Sequence, residues 1–129
     1  IPLFVKNIMN RTEVFINGDG GQTRDFTFVD NAVQVNIKGM LTDNTEALNK
    51  VYNVAVGENF SVNYLYEACT TYLKSDFAAT YREPRAGDIR DSLADISMAK
   101  NLLGYQPTKK FEAGLEETIE FFKQIYSNG

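Results

Sequence analysis

The sequence predicts a mixed α/β fold class, and three observations predict it. Short β-rich runs, Val14-Phe15-Ile16 and Val51-Tyr52-Asn53-Val54-Ala55-Val56, interrupt segments whose apolar residues recur at helical spacing. Clusters of turn formers, above all Asn17-Gly18-Asp19-Gly20-Gly21, separate the two kinds of segment. No repeat or low-complexity tract breaks the pattern, and 129 residues at 43% hydrophobic and 23% charged suit one folded unit.

Phe4, Val5, Ile8 and Met9 follow Pro2 at helical spacing and predict a first short helix. Val14 to Ile16 predicts a strand, and the glycine cluster after it predicts a hairpin turn, because glycine permits positive φ there. Phe26-Thr27-Phe28-Val29 is read as the next strand, and Asp30 as the N-cap of a helix carrying Ala32, Val33, Val35, Ile37 and Met40. Residues 42–50 read as a loop. Val51 to Val56, apolar almost throughout and ended by Gly57, is the most strand-like segment, as if covered on both faces. Ser61 can cap a helix running to Leu73, and residues 78–82 suit another strand. Pro84 to Ser92 reads as a charged loop, and Asp95 as the cap of a short helix, Ile96 to Leu103, closed by Gly104. Leu115, Ile119 and Phe122 then define a final amphipathic helix with Glu116, Glu117, Glu120 and Lys123 toward solvent.

Composition removes several chemistries. There is no histidine, hence no Ser-His-Asp triad and no imidazole metal site. The single cysteine, Cys69, rules out an intrachain disulfide and any CxxC site, and reads as a small buried side chain. Acidic residues are scattered, without a glycosidase dyad or a metal cluster. A formal net charge of −4 argues against nucleic-acid binding, and no apolar run approaches the ~20 residues of a membrane span. No secretory leader is visible, so a cytoplasmic location is expected. The opening Ile1-Pro2-Leu3-Phe4-Val5 is apolar, patterned and without an initiator Met, which suggests a piece of a longer protein.

Two strings imitate dinucleotide machinery. Gly18-Asp19-Gly20-Gly21-Gln22-Thr23 has Thr23 at the third glycine position and leads toward a strand, whereas a pyrophosphate needs a helix N-terminus at that point. Tyr105-Gln106-Pro107-Thr108-Lys109 has the Tyr-x-x-x-Lys spacing, but Pro107 would cost a helix interior ~3 kcal/mol, more than one side-chain pair returns. Phe26, Phe28, Phe121 and Phe122 fall at strand or helix periods and read as core. Arg24-Asp25 and Arg85-Ala86-Gly87-Asp88-Ile89-Arg90 are different: guanidinium forks suit phosphate oxygens, and a nearby carboxylate can orient them or accept from a ribose. Spacing alone leaves open the alternative of surface ion pairs worth about 0–1 kcal/mol each.

Taken in order, these residues resemble a known family. Phe15-Ile16-Asn17-Gly18-Asp19-Gly20-Gly21-Gln22-Thr23-Arg24-Asp25-Phe26, followed by Val29-Asp30-Asn31, resembles the GDG-x-x-x-RDF-x-x-V-x-D stretch of extended short-chain dehydrogenase/reductases. Tyr52 to Gly57 is similar to their YN-(I/V)-x-x-G strand. Arg85 to Arg90 with Ser92-Leu93-Ala94-Asp95-Ile96-Ser97 is similar to R-x-GD-x-R-x-S-x-ADIS, and Leu102-Leu103-Gly104-Tyr105-x-Pro107 to LGY-x-P. The nearest subgroup resembles the UDP-N-acetylglucosamine and UDP-glucose 4-epimerases, with nucleotide-sugar dehydratases and decarboxylases close behind. Met98 stands where the family usually has Lys, away from the proposed contacts.

The resemblance implies the C-terminal substrate-binding portion (residues 1–129) of such an enzyme, without its Rossmann domain. NAD, the Ser/Thr and the catalytic Tyr-x-x-x-Lys would belong to the missing N-terminal part, so this chain alone is expected to bind no NAD and to be inactive. The full enzyme would invert C4 of a UDP-hexose or UDP-N-acetylhexosamine through a 4-keto intermediate while this portion grips UDP. Carried over by position, Arg24 and Arg85 would contact the diphosphate and Asp88 the ribose region. The backbone of Phe15, Ile16 and Asn17 would flank the uracil, and Arg90 would help with phosphate or order its loop. The Val51–Val56 strand would join the edge of the Rossmann sheet, so without that sheet self-association through it is expected. A non-catalytic UDP-sugar-binding or interaction module is the alternative.

Overall fold

The computed structural model describes residues 1–127. The chain runs α1 (Pro2–Met9), β1 (Val14–Asn17), β2 (Thr23–Arg24), α2 (Val29–Met40), β3 (Phe60–Ser61), α3 (Val62–Leu73), β4 (Ala79–Arg82), α4 (Ser97–Leu103) and α5 (Phe111–Ser127), with a single 3-10 turn at Thr45–Ala47. The mixed α/β class follows, with most of the packing supplied by helices. β1 and β4 pair in parallel, Val14 opposite Ala79 through Asn17 opposite Arg82. β2 and β3 pair antiparallel over two residues each.

The larger core forms where α1, α3 and α5 pack together beneath β1. Val5, Ile8, Val14, Leu65, Cys69, Leu115 and Ile119 are its buried centre. Each helix contributes residues one turn apart, Val5 and Ile8, Leu65 and Cys69, Leu115 and Ile119, as an amphipathic stripe requires. Burial of this kind stabilises by about 1.5–3 kcal/mol per large aliphatic side chain. It also pushes the Cys69 thiol up to about 11, so the sulfur stays protonated and behaves as a small hydrophobe. Ser61 caps α3 as expected, its Oγ accepting from the Tyr64 amide at 3.0 Å, and Gly104 closes α4 at φ 61°.

Five expectations need correction. The glycine cluster makes no hairpin, because β1 pairs with β4 and β2 with β3, so the turn carries the chain from one sheet to another. The strand expected at Phe26–Val29 lies instead at Thr23–Arg24; Phe26 turns inward against Phe111, ring centroids 5.5 Å apart, and Val29 already belongs to α2. Phe28, not Asp30, is the α2 N-cap residue. Phe121 is 58% exposed and builds no core. Val51–Val56 forms no strand among the described residues. A strand needs a neighbouring ladder, and here side chains satisfy the backbone instead. Asp25 accepts the Val56 and Gly57 amides at 3.0 Å each, and the Tyr105 hydroxyl donates to the Ala55 carbonyl at 2.7 Å.

Those contacts tie a second, smaller core of Val35, Ala55, Ile96, Ala99 and Tyr105 between α2 and α4. Asn31, fully buried, sutures α2 to the segment before α5. Its Oδ1 accepts from the amides of Thr108 and Lys109 at 2.9 and 3.2 Å, and its Nδ2 donates to the Lys109 carbonyl at 2.7 Å. Asp95 does assist α4, accepting from the Ser97 amide at 2.9 Å, though the helix begins one residue later than expected. Among the described residues no helix is long and apolar enough to cross a membrane.

Candidate functional site

The site grows from the parallel pair. Alternation along β1 sends Val14 and Ile16 into the core and leaves Phe15 and Asn17 on the outer face. Parallel register sets Arg82 beside Asn17. The Arg82 Nε donates to Asn17 Oδ1 at 2.6 Å, and its guanidinium carbon stands 4.7 Å from the centre of the Phe15 ring. Gln22, nearly buried, donates from Nε2 to the Asn17 carbonyl at 2.9 Å.

From β4 the chain enters the loop of residues 83–92, which folds back across the glycine turn. Backbone bonds start and finish this return: Gly18 donates to the Arg82 carbonyl and Thr23 to the Arg90 carbonyl, both at 2.8 Å. Gly20, at φ 70°, lies against Asn63, whose Nδ2 donates to the Asp19 carbonyl at 2.9 Å. A Cβ at Gly20 would come within 1.9 Å of the Asn63 Oδ1, so a side chain there would displace Asn63 and strain a left-handed backbone.

Two arginine–aspartate pairs then clamp the loop. Arg90 grips Asp19 with both forks, Nη1 to Oδ1 at 2.7 Å and Nη2 to Oδ2 at 3.1 Å. This guanidinium, joined by the Gly21 amide, holds the Asp19 carboxyl down at about 2. Arg24 bonds Asp88 and donates Nη1 to the carbonyls of Thr23 and Ile89, each at 2.7 Å.

The result is an open cavity of about 390 Å³, lined among others by Phe15, Ile16, Asn17, Arg24, Arg82, Arg85 and Asp88. This volume lies in the range of ~300–1,000 Å³ usual for small-molecule sites. Of the expected site residues, Phe15, Ile16, Asn17, Arg24, Arg85 and Asp88 therefore meet at one cavity although they come from three separate segments. Ile16 can offer it only backbone, since its side chain is buried. Arg90 is not brought there; it lines an adjacent cavity of about 310 Å³ and pairs with Asp19. Asp88 faces the cavity already engaged by Arg24, whereas Arg85 makes no ion pair among the described residues. Met98 stays 46% exposed on α4 and lines neither cavity.

Arg82 and Gln22 were not singled out by sequence. Arg82 falls within the strand expected at residues 78–82, but its place at the cavity depends on the β1–β4 register.

Neither of the two dinucleotide-like strings is arranged as a dinucleotide site. The glycine turn opens onto β2 and not onto a helix, and its Gly18 and Gly21 amides are engaged by the Arg82 carbonyl and Asp19. Tyr105 is fully buried on Ala55, while Lys109 pairs with Asp30 and Glu117, so the Tyr-x-x-x-Lys string places its two side chains apart.

The family model described as GDP-mannose 4,6 dehydratase matches residues 1–118. The UDP-glucose 4-epimerase of Mycolicibacterium smegmatis is 28% identical over 95% of this chain and 38% of its own length. The UDP-N-acetylglucosamine 4-epimerase of Methanobrevibacter ruminantium, solved with UDP-N-acetylmuramic acid, is 37% identical with a TM-score of 0.85, over 95% of this chain and 38% of that one. The UDP-glucuronic acid 4-epimerase of Bacillus cereus, solved with UDP-glucuronic acid and NAD, is 28% identical with a TM-score of 0.88, over 95% and 39% respectively. The chain thus spans about two fifths of the length of these relatives. By the extent of the family match and the fold it shares with these enzymes, the chain belongs to the GDP-mannose 4,6 dehydratase family of extended short-chain dehydrogenase/reductases.

Proposed function

We propose that this chain is the nucleotide-sugar-binding portion of an NAD-dependent UDP-sugar 4-epimerase, and that alone it performs no chemistry. Support comes above all from one observation: Arg24, Arg85 and Asp88, far apart in sequence, line a single cavity against the Phe15–Asn17 strand. The arginines of that cavity offer forked donors to a diphosphate, and the outer edge of β1 offers backbone to a uracil. In the whole enzyme such a grip on UDP would position the sugar for hydride transfer elsewhere, remote binding energy serving the reacting centre. NAD would be held by a part of the protein other than these residues. Isothermal calorimetry tests the reading: UDP should bind the chain, and Arg85→Ala should weaken it by about tenfold or more. Equal UDP affinity in wild type and variant would sink it.

We propose further that the chain self-associates through residues 51–56, which find no strand partner among the described residues and in which Val51 is 91% exposed. Light scattering should show mass rising with concentration, and Val51→Lys should suppress the rise. A concentration-independent monomer mass rules this association out.

A further inference from the structure

We propose that Arg82 is a ligand-contacting residue of this cavity, acting beside Arg85 on the anionic part of the ligand. The inference rests on the nucleotide-diphosphate reading above and extends it to a residue that neither the motifs nor the family comparison singles out. Three guanidinium groups line the cavity, and they are not equivalent. Arg24 is already compensated: it bonds the Asp88 carboxylate and two carbonyl oxygens. Arg85 and Arg82 have no carboxylate partner among the described residues, and Arg82 bonds only the neutral Asn17 Oδ1. The cavity therefore presents two uncompensated positive charges, the number a diphosphate diester carries as negative charge at neutral pH.

Arg82 is also held ready. Its Nε is fixed by Asn17 and its planar face rests on Phe15 at 4.7 Å, so little side-chain freedom remains to be lost on binding. Its terminal amines make no hydrogen bond among the described residues. A guanidinium placed in this way donates through those amines while the stacked ring keeps the fork oriented.

Calorimetry of the full chain with UDP and with uridine separates the outcomes. Arg82→Gln should weaken UDP about tenfold and leave uridine unchanged, whereas Arg82→Lys, which keeps the charge, should lose distinctly less. Because Arg82 is exposed at the end of β4, the glutamine variant should keep the wild-type circular dichroism spectrum and melting point. If Arg85→Gln weakens UDP while Arg82→Gln does not, the proposal falls and the diphosphate reading stands. If Arg82→Gln weakens uridine and UDP equally, Arg82 acts only by steadying Phe15, and the proposal falls. If the wild-type chain binds no UDP, both readings fall together.

Discussion

The two halves of this molecule solve the same problem by different means. Around α1, α3, α5 and β1, backbone ladders and interlocking apolar stripes close a core whose central side chains are almost fully buried. Around α2, residues 51–57 and α4, the core is smaller and the backbone is held by individual side chains: Asp25 on Val56 and Gly57, Tyr105 on Ala55, Asn31 on Thr108 and Lys109. The first half is self-sufficient because its strands find partners within the chain. The second contains the most strand-like run in the sequence, yet that run has no strand partner among the described residues, and Val51 and one face of α2 stay exposed. The candidate cavity lies on the self-sufficient half, where β1 and β4 can hold its arginines in register.

The sharpest way to break this comparison is to truncate one aliphatic residue in each half. Ile119→Ala, at 1% exposure, should cost about 2–5 kcal/mol in chemical denaturation, whereas Ile37→Ala, half exposed, should stay within about 0.5 kcal/mol. Equal losses would mean that the α2 face is covered in solution.

Smaller, and specific to the second half, is the loss expected from Tyr105→Phe. It keeps the ring but strands the buried Ala55 carbonyl, at about 1–3 kcal/mol. An unchanged melting point would show that residues 51–57 do not depend on that bond.

The smallest effect concerns the loop clamp and its pH dependence. The Asp19 carboxyl is held at about 2 against 3.8 when unperturbed, so the folded state binds its proton more weakly than the unfolded one. The contribution of the Asp19–Arg90 pair is therefore complete above pH 4 and disappears as the pH falls through about 2. Carboxyl carbon shifts should titrate Asp19 with that low midpoint, and Arg90→Gln should return it toward 3.8. A midpoint near 3.8 in the wild type would show the pair open in solution.

Much of the helical framework was readable beforehand. Ser61, Gly104 and the Leu115–Ile119–Phe122 stripe marked their elements because capping and 3.6-residue periodicity act within a few residues. The strands were less legible. Phe26–Val29 and Val51–Val56 both have strand composition, and neither is one, since a strand is defined by a partner that lies elsewhere in the chain. Arg24, Arg85 and Asp88 could be named as candidates from ordered motifs, but nothing local showed that Arg24 would be engaged by Asp88, or that Arg90 would turn away to Asp19.

By itself the sequence determined which segments are helical and some of their caps, which chemistries its composition forbids, and which charged motifs were worth following, all consequences of short-range sterics and side-chain chemistry. Only the tertiary structure decided which strands pair, which carboxylate meets which arginine, and that Arg82 faces the cavity. Those outcomes depend on contacts between residues as much as 71 positions apart, as between Asp19 and Arg90, and no local pattern encodes such a meeting.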